Sequence, residues 1–247
     1  MNNYKILIQY DGGRYKGWQR LAGDENTIQG KIEKVLSQMT GEKIEITGSS
    51  RTDAGVHAIA QTANFKTDKC FAPEEIMNYL NRYLPDDISI PEVTEVHENF
   101  HARYNAGSKT YLYKIWNRQY PNPFLRKYSM HIEDRLNIAR MREAAPYFIG
   151  AHDFTAFSNA KSKKKSMVRE IYSIDIREED GLIEIRVCGN GFLYNMVRRI
   201  VGTLVAVGRG QTDVSGIAEI IKSGERSQAG FIADACGLFL EKIEFQS

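Results

Sequence analysis

One order of secondary-structure elements can be read twice along this chain, and that recurrence limits the fold more than any other feature. Residues 4 to 10 alternate as a strand, with Tyr4, Ile6, Ile8 and Tyr10 on one face and Lys5, Leu7 and Gln9 on the other. A helix follows, with Asn26 and Gln29 as its expected N-terminal cap pair and Ile28, Ile32, Val35 and Leu36 as its apolar stripe. Strands are expected near 43–47 and 59–65. Pro73 then opens a helix carrying Ile76, Tyr79, Leu80 and Tyr83, and an extended segment over 88–97 completes βαββαβ. From Lys109 the order recurs: strand 109–117, helix 134–148, strands 170–177 and 182–188, helix 191–207 and strand 238–245, with an added helix near 213–223. The expected class is α+β, with two ferredoxin-like βαββαβ halves, residues 1–104 and 105–247, built on antiparallel sheets. Such sheets, covered by helices on one side, leave their other face or the seam between halves open to a ligand.

At 247 residues and 42% hydrophobic content the chain can build a real core. No run approaches the roughly 20 apolar residues that span a bilayer, and Met1-Asn2-Asn3-Tyr4-Lys5 lacks a signal-peptide pattern, so a cytoplasmic protein is expected. Cys70, Cys188 and Cys236 are far apart, without a CxxC pair or a histidine cluster, and read as reduced, mostly buried thiols rather than zinc ligands. Net charge is only +2, from 33 basic and 31 acidic residues, so affinity for a polyanion must come from local clusters. The densest holds Lys161, Lys163, Lys164, Lys165 and Arg169; others are Arg198 with Arg199 and Arg209, and Arg14, Lys16 and Arg20 around Trp18. A lysine run is as readily a solvated loop as an RNA contact, whereas cations around an aromatic ring favour RNA, since stacking and phosphate contacts occur together.

The most informative segment is Gly48-Ser49-Ser50-Arg51-Thr52-Asp53-Ala54-Gly55-Val56-His57-Ala58, in which small residues and glycines surround one carboxylate and one guanidinium. Small residues let a backbone turn tightly and approach a substrate closely, as an active-site loop requires. The segment Arg51–Ala58 resembles the signature loop of the TruA family of tRNA pseudouridine synthases. Tyr10-Asp11-Gly12, Gly17-Trp18-Gln19, Lys109–Tyr113, His152-Asp153-Phe154 and Met196–Gly202 also look like family positions, in the family's order. Ser50 departs from the Gly usual there.

The resemblance implies a catalytic role for Asp53, a uridine-to-pseudouridine isomerisation in the anticodon stem-loop of tRNA around positions 38 to 40, two α+β halves around a basic RNA-binding cleft, and a homodimer. The reaction needs no metal, cofactor or external energy, and an ionised aspartate suits it as nucleophile or base. The resemblance also gives Arg198 the part of the cation that keeps the acid ionised. The helix supports that placement, because Val197, Ile200, Val201 and Leu204 hold its apolar side, although without the resemblance Arg198 reads as a surface helix arginine. It makes Tyr111, rather than Tyr113, the ring that stacks on the extruded uracil, although both tyrosines could simply be core. Arg51 could hold the flipped nucleotide's phosphate, occupy its vacated place, or order its own loop. Lys163, Lys164 and Lys165 are expected to bind RNA backbone.

Three other readings remain in view. A non-catalytic RNA-binding module would explain the arginines and tyrosines but not a lone acid in a glycine-bounded loop. The same isomerisation could be directed at ribosomal or messenger RNA. A metal-dependent hydrolase built on Asp53 and His57 lacks a ligand set, and Gly55 between them argues against a helix that would align them. His152–Phe157 reads as a cap and packing motif after Gly150.

Overall fold

The computed structural model describes residues 1–24, 26–159 and 166–245. Two compact units emerge, Met1–Gly107 with Phe239–Ser247, and Ser108–Leu238. The first breakpoint lies close to the expected one, but the last strand, expected in the second half, belongs to the first unit.

In the first unit the order is β1 (Asn2–Tyr10), α1 (Ile28–Thr40), β2 (Thr47–Gly48), β3 (His57–Thr67), α2 (Pro73–Tyr83) and β4 (Ile88–Val96). β1 lies between β4 and β3 and is antiparallel to both, and β2 pairs antiparallel with β3. The alternation read from the sequence is the burial pattern: Tyr4, Ile6, Ile8 and Tyr10 face the core, with Ile28, Ile32 and Leu36 of α1 among its buried residues. The cap of α1 is Thr27, whose hydroxyl accepts from Gly30 N at 3.2 Å, and not the Asn26–Gln29 pair. Gln29 is instead buried and donates to Glu33 Oε1 and to Ile46 O. Pro73 does open α2, and Glu75 accepts from the backbone N–H of Ala72. β2 occupies only Thr47–Gly48 and pairs with Ala63–Asn64, so it leaves the start of β3 uncovered. The C-terminal strand, β10 (Leu238–Phe245), fills that edge by pairing parallel with His57 and Ala58. A sheet edge with open hydrogen-bonding groups is a ready partner for another strand, whichever end of the chain supplies it.

The second unit contains β5 (Ala106–Trp116), β6 (Met130–His131), α3 (Ile138–Ala144), β7 (Gly150–Asp153), β8 (Val168–Glu179), β9 (Leu182–Gly189), α4 (Met196–Gly208) and α5 (Gly216–Ser223). Its strands run β5-β9-β8-β7, all antiparallel, with β6 alongside β5. The expected helix over 134–148 is shorter: Asn137 caps it by accepting from Arg140 N, and the stretch from Ala145 to Phe148, which contains Pro146, winds as a 3₁₀ turn. β6 and β7 have no counterpart in the sequence reading. The motif after Gly150 is structural: Asp153 Oδ1 accepts from Thr155 N at 2.9 Å, and Phe154 is fully buried against Phe157. α4 crosses the 230–231 segment in backbone contact. A Cβ on Gly202 would stand 1.9 Å from Phe231 O, and one on Gly230 2.4 Å from Gly202 C.

None of the three cysteines is fully buried, against the expectation; Cys70 is exposed after β3, and Cys188 and Cys236 are partly exposed. Among the described residues no helix is long and apolar enough to cross a membrane.

Candidate active site

Asp53 sits half-buried in a turn between β2 and β3, with its carbonyl accepting from Val56 N at 3.2 Å and Gly55 at φ +80°. The turn is clamped from below. Trp18, 2% exposed, donates its backbone N–H to Thr52 O at 3.0 Å, and its ring packs so closely under Gly48 that a Cβ there would lie 2.5 Å from it. Gly17, at φ +99°, has room for hydrogen only: a Cβ would meet Thr52 O at 2.7 Å and the Asp53 carbonyl carbon at 3.1 Å. From β1, Tyr10 Oη and Thr52 Oγ1 share a buried hydrogen bond of 2.7 Å, contributing about 1 kcal/mol net. The Gly-Trp pair around residue 17 is therefore the floor under Asp53.

The preceding residues are held by side chains. Ser49 Oγ donates to Ala102 O at 2.7 Å, and the buried Gln61 binds the Ser50 backbone at both ends, accepting from its N–H and donating to its C=O. Ser50 is not among the residues with positive φ, so the backbone there makes no demand for glycine. Arg51 is exposed and makes no side-chain hydrogen bond among the described residues.

His57 lies at the start of β3. Its ring, 2% exposed, stacks on Phe239 with centroids 4.8 Å apart. Gly12 N–H donates to His57 Nδ1 at 3.1 Å. Asp11 Oδ1 is also 3.1 Å from that nitrogen and makes an ion pair with it only when the ring is charged. No group of three or more His, Cys, Asp or Glu side chains that could hold a metal ion occurs among the described residues.

In the second unit, Tyr111 of β5 is 5% exposed, and its ring meets Phe192 edge-on at 5.3 Å. Tyr113 is core, with its hydroxyl donating to Asp234 O at 2.8 Å; burial, and then the nearby Asp234 carboxylate, push that phenol well above its ordinary pKa. Arg198, in the first turn of α4, donates through Nε to Ala233 O at 2.6 Å and through Nη1 to Asn195 Oδ1 at 3.2 Å. Two bonds thus fix its guanidinium, and Tyr113 and Arg198 hold the same stretch, 233–234. Arg199 is engaged elsewhere, donating to Asn159 Oδ1 from Nε and Nη2. Burial, with Arg226 adding like charge, pulls its pKa down.

The sequence reading missed Asn195. It is in the left-handed region at φ +62°, which few residues besides glycine adopt readily, and it serves as the N-cap residue of α4 while its amide is spent on Arg198. An Asn just before the apolar run of α4 was the available signal. Thr52, Tyr10 and Gln61 were missed for a simpler reason, since their partners are distant in sequence. Arg51 and Asp53 therefore share one loop of the first unit, and Tyr111 and Arg198 belong to the second. Lys163, Lys164 and Lys165 lie outside the described residues.

A strand-to-strand loop braced by a buried tryptophan thus presents one carboxylate and one exposed arginine on an α+β scaffold. The family model described as tRNA pseudouridine synthase matches residues 6–105 and 144–246, and the chain belongs to that family. A protein called tRNA pseudouridine synthase A 2 from Bacillus cereus (strain ZK / E33L) is 61% identical over 245 residues, 99% of this chain and 100% of that protein. One called tRNA pseudouridine synthase A from Bacillus sp. (strain KSM-64) is 64% identical over the same shares, and another of that name from Acetivibrio thermocellus is 44% identical.

Proposed function

We propose that Asp53 is the catalytic carboxylate with which this chain isomerises uridine to pseudouridine in tRNA, acting in the anticodon stem-loop around positions 38 to 40. The isomerase activity on tRNA follows from the family. The observation that carries Asp53 is the effort spent on holding it: Gly17, Trp18, Thr52 and Tyr10 fix the loop that presents this acid.

In the reaction the N1–C1′ glycosidic bond breaks, the uracil turns, a C5–C1′ bond forms, the C5 proton is lost to solvent and N1 takes up a proton in exchange, so the product is an isomer. An ionised Asp53 attacks the sugar or base, or removes a ribose proton. Arg198, already oriented by Asn195 and Ala233, is the cation that supports the ionised acid. Tyr111 stacks on the extruded base, and Arg51 takes the flipped nucleotide's phosphate or its vacated place in the stem, where unstacking costs a few kcal/mol. Lys163, Lys164 and Lys165 contact the RNA backbone. The same reading carries a homodimer, checked by light scattering, and a cytoplasmic location.

The test is chemical mapping of pseudouridine in an unmodified tRNA transcript incubated with wild type or Asp53→Asn, without added metal or nucleotide. The expected result is product in the anticodon stem-loop with wild type, none with the variant, and similar RNA binding by both, because affinity comes mainly from backbone contacts. Normal turnover by Asp53→Asn would remove Asp53 from the mechanism. Product at sites outside that stem-loop, or only in ribosomal RNA, would reassign the substrate.

A further inference from the structure

The segment between β5 and β6, Asn117 to Ser129, displays aromatic rings to water. Phe124 is 90% exposed and Tyr120 73%. The display is braced. Trp116 Nε1–H donates to Tyr120 O at 2.9 Å, Asn122 Oδ1 accepts from Phe124 N at 2.9 Å, and Asn122 O accepts from Leu125 N and Arg126 N. Ser129 Oγ donates to Leu125 O, His131 Nε2 bonds Arg118 O, and Pro121 and Pro123 stiffen the turn. Rings held in water by an ordered backbone are preorganised for a partner.

Arg126 and Lys127 are exposed and make no ion pair or side-chain hydrogen bond among the described residues, and the same holds for Arg135. Arg118 spends Nε on Asp180 O and lies across Gly181. Arg118 and Arg135 border a cleft of about 810 Å³ that begins where the loop begins. Two acids, Glu133 and Glu178, also line it, and Glu178 is occupied in accepting from Gly181 N. Arg118 and Arg135 match those two acids, and Arg126 and Lys127 add two cations on the loop among the rings, the composition of a nucleic-acid platform: bases stack on aromatic faces and phosphates meet the cations. A protein partner would have to bring a surplus of acid to the same face.

We propose that this loop and the cleft at its base form a second tRNA contact, in which Phe124 and Tyr120 stack on unpaired nucleotides while Arg118, Arg126, Lys127 and Arg135 hold phosphates. The proposal rests on tRNA being the substrate but not on Asp53 being the catalyst.

The test compares Tyr120→Ala/Phe124→Ala and Arg126→Ala/Lys127→Ala with wild type and Asp53→Asn. Each is measured for affinity to one unmodified tRNA transcript across a salt series, for thermal melting, and for mass by light scattering. The aromatic pair should weaken binding about tenfold or more with melting and mass unchanged. The basic pair should flatten the slope of log affinity against log salt by roughly 0.7 to 0.9 for each phosphate no longer neutralised. Both should still form pseudouridine at saturating RNA. Wild-type affinity in the aromatic variant, or a change of oligomeric mass in either, would overturn the proposal, the latter making this face an interface between copies. An active Asp53→Asn would refute the catalytic assignment and leave this one standing.

Discussion

Replacing Gly17 by alanine tests whether the floor beneath Asp53 is as tight as its geometry implies. Two independent penalties meet at that position. A φ of +99° is costly for any residue with a Cβ, on the order of 1–2 kcal/mol. The new methyl would also stand 2.7 Å from Thr52 O, 3.1 Å from the Asp53 carbonyl carbon and 3.2 Å from Ala54 N, all backbone atoms that cannot rotate away, and overpacking of this kind costs about 1–3 kcal/mol. If the loop holds its place, Gly17→Ala should lose about 2–5 kcal/mol, a large share of the 5–15 kcal/mol typical of a folded domain. If the loop yields, the stability loss shrinks and Asp53 moves, and a shift near 1 Å can cost about 100-fold in rate. Urea denaturation and single-turnover pseudouridine formation on the same preparations separate the two cases. Stability within about 0.5 kcal/mol of wild type together with an unchanged rate would refute the packing argument.

Charged groups give two further expected outcomes. Burial alone would raise the Asp87 carboxyl, but hydrogen bonds from Tyr15 and Arg14 outweigh it and hold its pKa below the ordinary value. A depressed folded pKa contributes stability that is fully present above the unfolded value of about 3.9 and is lost as pH falls through the folded one. Asp87→Asn should therefore flatten the loss of stability below about pH 4 in urea titrations, and an unaltered acid limb would count against this pairing. Replacing Lys163, Lys164 and Lys165 together by alanine should weaken tRNA binding and lower its salt slope by about 0.9 for each phosphate that these lysines neutralise; an unchanged slope would return the run to solvent.

Most elements were legible because their signals are local. The alternation of Tyr4, Ile6, Ile8 and Tyr10 could be satisfied only by a strand with one buried face, and Pro73 could open α2 because its missing N–H is not needed there. Where the reading slipped, two local signals competed or a distant partner decided. Asn26 and Thr27 are both good caps, and Gln29 was taken from the capping role by Glu33 and Ile46. α4 starts at Met196 and not at 191, since Asn195 adopts φ +62° just before it.

The candidate residues could be named from the chain alone: a lone acid and an arginine among glycines and small side chains, a tyrosine-bearing strand and an arginine-bearing helix. Those properties belong to residue types and short spacings, which need no folding to be read. What holds these residues in place came only from the folded chain. Tyr10 reaches Thr52 across 42 positions, Arg198 reaches the Ala233 carbonyl across 35, and β10 returns from the end of the chain to cover His57. Contacts between distant positions depend on strand register and on where the backbone can approach, as at Gly17 and Gly202, and no single stretch of sequence contains both partners.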